Sequence, residues 1–354
     1  MRKNRILHVA NLNSFGGIQK LVVELVHELN IRGSWDCSIL STGTVELSDK
    51  HHLNNRLLQS HKLNSKILKF FWLLKLYRSY DIIHFHGPYT FYQLACYFVK
   101  TKIVYTEHGT LQKDNIKRNY KHYIQKRIIG MHFMRFRASK IIVVSNWLKE
   151  DINLKNNNVR VIFNGLKEQP YERKIKLQTE QDFQLVIAAR MVQRKRVNCA
   201  LEVMELLKDE PVELNVLGTG PEINKLKEHA ARIGNPNIRF LGYREDAEKI
   251  IANSDFYLMT TLKEPFGLVV LEAMMNDTLV LALSDSLGPV EILGKELDYL
   301  VVENIHNLSK RIKELTSNPI LRKRYSQMQK AVYKKHFKIE RMVEEYEDCY
   351  ADCL

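Results

Sequence analysis

The chain has 354 residues, enough for two domains that each bury a core of their own. It is 45% hydrophobic and 27% charged, a globular balance, and no uninterrupted apolar run reaches the ~18 residues of a membrane span. The five cysteines, at 37, 96, 199, 349 and 353, form no C-x-x-C pair, which argues against a disulfide scaffold or zinc ribbon and for a reducing compartment.

The net charge of +14 is unevenly placed. Residues 1–168 carry 27 Lys and Arg against 11 Asp and Glu, whereas 169–354 are close to balanced, so the whole excess lies in the first half. Such a one-sided basic half suits an anionic membrane surface or a nucleic acid. The opening MRKNRILHVANLNS has basic residues but no long apolar core, so no secretory leader is expected from it.

In chain order, Arg5–Asn11 reads as a short apolar strand running through Leu12-Asn13-Ser14-Phe15-Gly16-Gly17 into an amphipathic helix over about 18–31. Strand, glycine turn and helix is a nucleotide-binding style of opening, but the G-x-G-x-x-G spacing of a dinucleotide site is missing. Lys62–Tyr80 and Lys113–Lys140 combine apolar and aromatic residues with closely spaced cations. That pattern fits helices lying on a membrane interface and equally core helices whose long side chains snorkel. Strands at Asp81–Phe85 and Lys102–Thr106 lead into His84-Phe85-His86-Gly87 and Glu107-His108-Gly109, placing histidines at strand ends on one side of a parallel sheet. His-x-His can ligate zinc, but no residue nearby in sequence completes a set. Lys140–Ser145 continues the strand pattern and Ser145 is a helix cap; Val159–Phe163 then reaches the turn Asn164-Gly165. The polar stretch 167–181 reads as a linker, which puts domain boundaries at 1–168, 169–335 and a terminal helical segment 336–354.

The second half opens with the apolar strand Phe183–Ala189 and four cations in Arg190-Met191-Val192-Gln193-Arg194-Lys195-Arg196, an anion site at a strand's carboxyl end. Val212–Leu217 turns through Gly218-Thr219-Gly220-Pro221 into a helix, with Ile223 where a dinucleotide fingerprint needs glycine. Asn237–Tyr243 is the next strand and loop. From Asp255, DFYLMTTLKEPFGLVVLEAMMNDTLVLAL reads as strand, loop, helix, strand, with Glu264 just before the helix and Glu272 two turns into it. Between them the first helical N–H groups, near Gly267, Leu268 and Val269, are donors suited to an anion. Residues 303–354 read as successive charged helices.

The wording Glu-Pro-Phe-Gly-Leu-Val-Val-Leu-Glu-Ala-Met over 264–274 resembles the Glu-x7-Glu signature of the retaining glycosyltransferases of family 4. Matches at 16–17, 108, 145, 164–165, 190–195, 218–221, 240–242 and 264–272 run in family order along most of the chain. The resemblance implies an α/β GT-B fold, with two facing Rossmann-like domains and a nucleotide-sugar in the cleft between them. It implies that Arg190 and Lys195 hold the donor diphosphate together with Gly267, Leu268 and Gly17, and that Glu272 binds the ribose. Glu264 and His108 then flank the reacting sugar, while Gly16, Gly218 and Gly220 are further backbone positions near the donor. Gln19 stands where the family has Glu, and Ala189 where it has Gly.

The expected activity is transfer of a sugar from a UDP- or GDP-sugar to a glycan or lipid-linked acceptor, of the kind built into bacterial surface polysaccharide or lipopolysaccharide. No metal or other cofactor and no nucleic-acid partner are expected, and the location implied is the cytoplasm, peripheral to the inner membrane face. A nucleotide-sugar epimerase of the same architecture, or a binding module without catalysis, are the competing readings.

Overall fold

The computed structural model describes residues 3–13, 16–45, 56–59, 65–109, 130–154, 158–169, 171 and 183–354. Ser14 and Phe15 of the first glycine loop, the start of the basic stretch at 62–64, residues 113–129 of the second one and most of the expected linker lie outside these. Contacts divide the chain into two compact units, residues 1–164 with 339–354, and residues 165–338. Gly165–Glu168 belongs to the second unit because Leu166 pairs with its far end: the amide of Leu166 donates to Phe337 and the phenol of Tyr333 donates to the carbonyl of Leu166.

The first unit is built on strands β1 (Asn4–Ala10), β2 (Trp35–Ser41), β3 (Leu57–Gln59), β4 (Ile82–Phe85), β5 (Lys102–Glu107), β6 (Lys140–Val143) and β7 (Val159–Val161). They form one parallel sheet in the order β3-β2-β1-β4-β5-β6-β7. Its helices are α1 (Gly17–Arg32), α2 (Lys66–Tyr77), α3 (Thr90–Ala95), α4 (Met131–Phe136) and α5 (Asn146–Ile152). The inner strands are mostly apolar because helices cover both faces of such a sheet, and the exceptions include His8, His84, Thr106 and Glu107, all of them buried. Local chemistry sets the helix ends: Ser145 accepts from the amide of Leu148 at 3.1 Å to start α5, and Gly33 at φ +79° stops α1.

The second unit repeats the plan with β8 (Phe183–Ala188), β9 (Val212–Leu217), β10 (Ile238–Gly242), β11 (Phe256–Met259), β12 (Leu279–Leu283) and β13 (Val301–Val302), in the order β10-β9-β8-β11-β12-β13. Its helices are α6 (Val197–Leu206), α7 (Ile223–Ile233), α8 (Ala247–Ala252), α9 (Leu268–Met275), α10 (Gly288–Leu293), α11 (Ile305–Ser317) and α12 (Pro319–His336). In each sheet the strand order reverses beside the first strand of the unit, between β1 and β4 and between β8 and β11. Loops leaving the carboxyl ends of such a pair splay apart and leave a crevice, the usual ligand position in this architecture.

Helix α13 (Ile339–Ala351) is the last element and is part of the first unit. It buries Tyr346 and Tyr350 against the histidine-bearing face of the first sheet. Among the described residues no helix is long and apolar enough to cross a membrane.

Candidate active site

In the second unit the reversal between β8 and β11 gathers the expected donor-binding residues. After β8 the chain passes Arg190, which is exposed, and makes a tight turn at Gln193–Lys195. The turn ends at Arg196 with φ +46°, a left-handed conformation that aims its side chain across to the loop after β11. There Arg196 donates to the carbonyl of Thr260 at 2.7 Å and holds Asp285 with both guanidinium nitrogens, while the hydroxyl of Thr260 donates back to the carbonyl of Lys195. Arg196 is thus spent on building the loop.

The Thr260–Gly267 loop is gripped from its other side as well. Lys263 and Glu264 donate their amides to the carbonyls of Asp285 and Ser286, and Gly288 donates to the carbonyl of Glu264. Only glycine fits at 288, because a Cβ there would lie 2.6 Å from the carbonyl oxygens of Glu264 and Pro265. So fixed, Glu264 accepts from Lys195 Nζ at 2.6 Å and more weakly from Arg194 at 3.4 Å. Burial by itself would raise the pKa of this carboxyl, but the two cations outweigh it and hold the group below the usual range.

Gly267, at φ +96°, turns the chain into α9, whose first turn has no side-chain cap. Its first amides, from Leu268 onward, include those an α-helix leaves without an intrahelical acceptor. Glu272 lies just over one turn along α9, and both it and Glu264 lie close enough to the buried phenol of Tyr257 to disfavour its ionisation. This buried phenol on β11 donates to the carbonyl of Ala188 on β8, and its pKa is raised by burial first and then by Glu272 and Glu264. Gly218 and Gly220 supply close backbone approach: a Cβ at 218 would lie 2.0 Å from the carbonyl oxygen of Ala189, and one at 220 would lie 2.5 Å from that of Met191. Thr219 accepts from the amide of Met191 between them, so the glycine turn is the bed on which Arg190 rests. A separate hollow of about 610 Å³ opens near Gln184 and Ser254, around the amino ends of β8 and β11, away from these groups.

In the first unit, Gly16 and Gly17 cap and open α1 after β1, and His108 follows β5. Register places His8 of β1 beside His84 of β4, and the two-residue period puts His86 on the same face. His8 Nδ1 lies 3.0 Å from His86 Nε2, and His86 Nδ1 lies 3.2 Å from His108 Nε2. Burial holds all three inner imidazoles neutral: His8 is lowered to about 3, and His84 and His86 fall well below the ordinary value. His8, His84 and His86 have nitrogens within 4.8 Å of one another, the spacing of a metal-ligand set. However, both nitrogens of His84 are already used, by the Tyr350 hydroxyl at 2.8 Å and the Thr106 hydroxyl at 2.7 Å. A cation held by all three would have to displace one of those bonds.

The sequence left four contributors unassigned. His8 went unremarked within an apolar strand, where a lone histidine was its only signal. Asp285 and Ser286 carried none, since they act 20 residues and more from the loop they hold, and Tyr257 read as core.

The first unit also carries an apolar surface. Helix α2 buries only Leu73 and Tyr77 completely, leaving Ile67, Leu68 and Phe71 exposed at 69%, 62% and 63%. Phe98 and Phe136 are exposed as well, and Lys66, Lys75, Arg78, Lys100 and Arg135 are exposed on the same three elements and their flanks. Phe70 joins α2 to Phe98 by an edge-on ring contact at 5.5 Å between centroids.

Residues 15–169 match the description Glycosyltransferase Family 4, and residues 152–334 match Glycosyl transferases group 1. An uncharacterized glycosyltransferase of Methanocaldococcus jannaschii is 25% identical over 244 residues, 62% of this chain and 61% of that protein, so the chain spans less than two thirds of that relative. N-acetyl-alpha-D-glucosaminyl L-malate synthase of Bacillus anthracis is 23% identical over 299 residues, 77% of this chain and 75% of that protein. Among solved structures, Anabaena HepE in complex with UDP and glucose superposes with a TM-score of 0.83 at 16% identity, covering 99% of this chain and all of that one. With two parallel-sheet Rossmann-like units, that likeness makes the fold GT-B. Since the second match covers more than half of its length, the chain belongs to the glycosyl transferases group 1 family.

Proposed function

We propose that the protein moves a sugar from a UDP- or GDP-sugar to a glycan or lipid-linked acceptor with retention at the anomeric carbon. The observation that carries this reading is the Lys195–Glu264 pair at the reversal of the second sheet, beside exposed Arg190 and the uncapped start of α9. Arg190, Lys195 and the α9 N–H groups supply fixed positive potential where a departing diphosphate gains charge. Glu272 accepts the ribose hydroxyls, and Glu264 faces the positive centre that forms as the bond from the anomeric carbon to the phosphate oxygen breaks. The acceptor hydroxyl attacks from the face the diphosphate leaves, and its proton passes to that phosphate. His108 of the first unit meets the donor sugar. The names of matched relatives, from lipopolysaccharide core and O-antigen biosynthesis, support a surface-glycan acceptor. The exposed apolar and basic side chains of α2 support work at an anionic membrane surface.

Thermal melting with UDP-, GDP-, ADP- and CMP-sugars tests the donor site, since a ligand at a hundred times its Kd stabilises by about 2.7 kcal/mol. One clear hit names the donor. Failure of the whole panel, free UDP and GDP included, overturns the nucleotide reading, and a changed sugar-nucleotide formed without acceptor makes the protein an epimerase.

A further inference from the structure

We propose that Cys349 and Cys353, at and just past the end of α13, form a redox-active dithiol that closes to a disulfide by exchange with a small-molecule disulfide and is opened again by small-molecule thiols. The site lies in the first unit and is independent of the sugar-transfer reading.

Helix α13 ends irregularly. In a continued α-helix the amide of Cys353 would donate to the carbonyl of Cys349. Here the chain tightens instead: that amide donates to Tyr350 at 3.0 Å, and the Leu354 amide donates to Ala351 at 3.3 Å, the three-residue spacing with which helices often close. The carbonyl of Cys349 is left to the side chain of Cys353, whose thiol donates to it at 3.2 Å. The turn thus folds Cys353 back over Cys349, and the two thiols are hydrogen-bonded to each other. Residues four apart along a helix have Cα atoms about 6 Å apart, inside the span that a disulfide bridges. The other cysteines sit on separate elements, Cys37 on β2, Cys96 just after α3 and Cys199 on α6.

The surroundings make the two thiols unequal. Cys349 is wholly buried, whereas Cys353 is 6% exposed between the exposed Asp352 and Leu354. The S–H of Cys349 donates to the sulfur of Cys353 and lowers its pKa; Lys140 and Lys102 act in the same direction, against burial and Asp352. That same bond, and then burial, raise the pKa of Cys349. Lys140 also pairs with Asp352 at 3.6 Å, and Arg160 with Asp348 at 3.7 Å, so the ends of β6 and β7 bring their cations to this turn. Since the thiolate is the nucleophile, Cys353 attacks first and Cys349 resolves.

The exchange balances in two steps. The Cys353 thiolate attacks one sulfur of the small disulfide, forms a mixed disulfide and expels one thiolate. Cys349 then gives its proton to the expelled thiolate, attacks the Cys353 sulfur and expels the second thiolate, which takes up the proton Cys353 had released. Two electrons pass from the dithiol to the small disulfide, and two thiols leave. Tyr350 lies between the cysteines in the chain. Its carbonyl accepts the Cys353 amide and its phenol satisfies His84 at 2.8 Å, so closure of the turn bears on the residue that braces the histidine-bearing face.

The test exposes the folded full chain to mixtures of reduced and oxidised glutathione, stops exchange with acid, and counts free thiols by alkylation of the unfolded chain and mass spectrometry. As the oxidised fraction rises, the tryptic segment 342–354 is expected to lose two hydrogens and to escape alkylation at both cysteines together, while Cys37 and Cys96 stay alkylated. Folded Cys349→Ser is expected to capture one glutathione at Cys353. Folded Cys353→Ser, with only the buried thiol left, is expected to capture none there, and in urea both variants take it up. Full alkylation of Cys349 and Cys353 in an excess of oxidised glutathione overturns the proposal, as does equal capture by the two folded variants. A mixed disulfide that persists in the unaltered protein, with no ring closed, removes the resolving role of Cys349 and with it the dithiol. The first arm needs no variant, so the proposal stays testable if either substitution unfolds the chain.

Discussion

The ammonium of Lys195 stands 2.6 Å from the carboxylate of Glu264, so two residues assigned to opposite ends of the reacting bond hold each other in place. Removing Lys195 therefore acts twice, taking away a cation from the leaving diphosphate and leaving Glu264 with only Arg194. Lys195→Met is expected to cut turnover by a hundredfold or more and to lower stability by about 2 kcal/mol. Steady-state rates and thermal melting measure the two effects, and near-normal turnover in the folded variant refutes the phosphate role.

Gly218 separates a backbone requirement from mere flexibility. Gly218→Ala drives a methyl into the carbonyl of Ala189, next to Arg190, at a φ of +115°. A loss of about 2 kcal/mol or more is expected together with weaker nucleotide stabilisation. Gly234 is the control, since its φ is +70° but nothing lies within 4 Å. Gly234→Ala is expected to cost about 1 kcal/mol and to leave nucleotide binding alone. Equal effects of the two changes on binding would show that the glycine turn does not support Arg190.

The buried histidines set an acid limit. Their pKa values are lowered in the folded chain, so as pH falls below the unfolded value near 6.5 the unfolded state binds protons that the native state refuses. Each such group then removes about 1.4 kcal/mol per pH unit, down to its folded pKa, which for His8 is about 3. Glu264 shifts downward too, but its contribution is present at neutral pH and is lost only in stronger acid, below the ordinary carboxyl range. Melting temperature is thus expected to fall from about pH 6 downward, and less steeply in His8→Phe; a flat profile to pH 5 contradicts the buried neutral imidazoles.

On the first unit, Ile67 and Phe71 are exposed on one helix. Flotation with anionic vesicles is expected to carry the protein up at low salt and less as salt rises, because exposed charges are screened. The double change Ile67→Asp and Phe71→Asp is expected to abolish flotation without lowering the melting temperature. Absence of salt-dependent flotation in the unaltered protein removes the membrane surface from the functional reading.

The segment around Glu264 was legible because its signals are local. An apolar run ends at Met259, Gly267 marks the turn into α9, and the second run resumes at Leu279, as the structure has it. The anchoring of that segment was not legible. Arg196 and Asp285 are 89 residues apart and His8 and His86 are 78 apart, and such partners meet only once the strand order is known. Patterning reports which face a residue takes, whereas pairing across a sheet depends on the route of the whole chain. Charge was misleading in the same way: four cations in 190–196 look alike in sequence, yet Arg196 builds the loop and Arg190 faces solvent.

Helix α13 has a consequence for the order in which the molecule is made. Tyr350 lies 266 residues after the imidazole of His84 that it satisfies, and the entire second unit is encoded between them. During synthesis the first sheet therefore emerges with a row of histidines open on one face and must wait, incomplete, while the second unit is translated and folds. The earliest part of the chain to leave the ribosome is the last to be finished, and over that interval the apolar side chains that α13 later covers, Trp35 among them, are what a chaperone has most to protect.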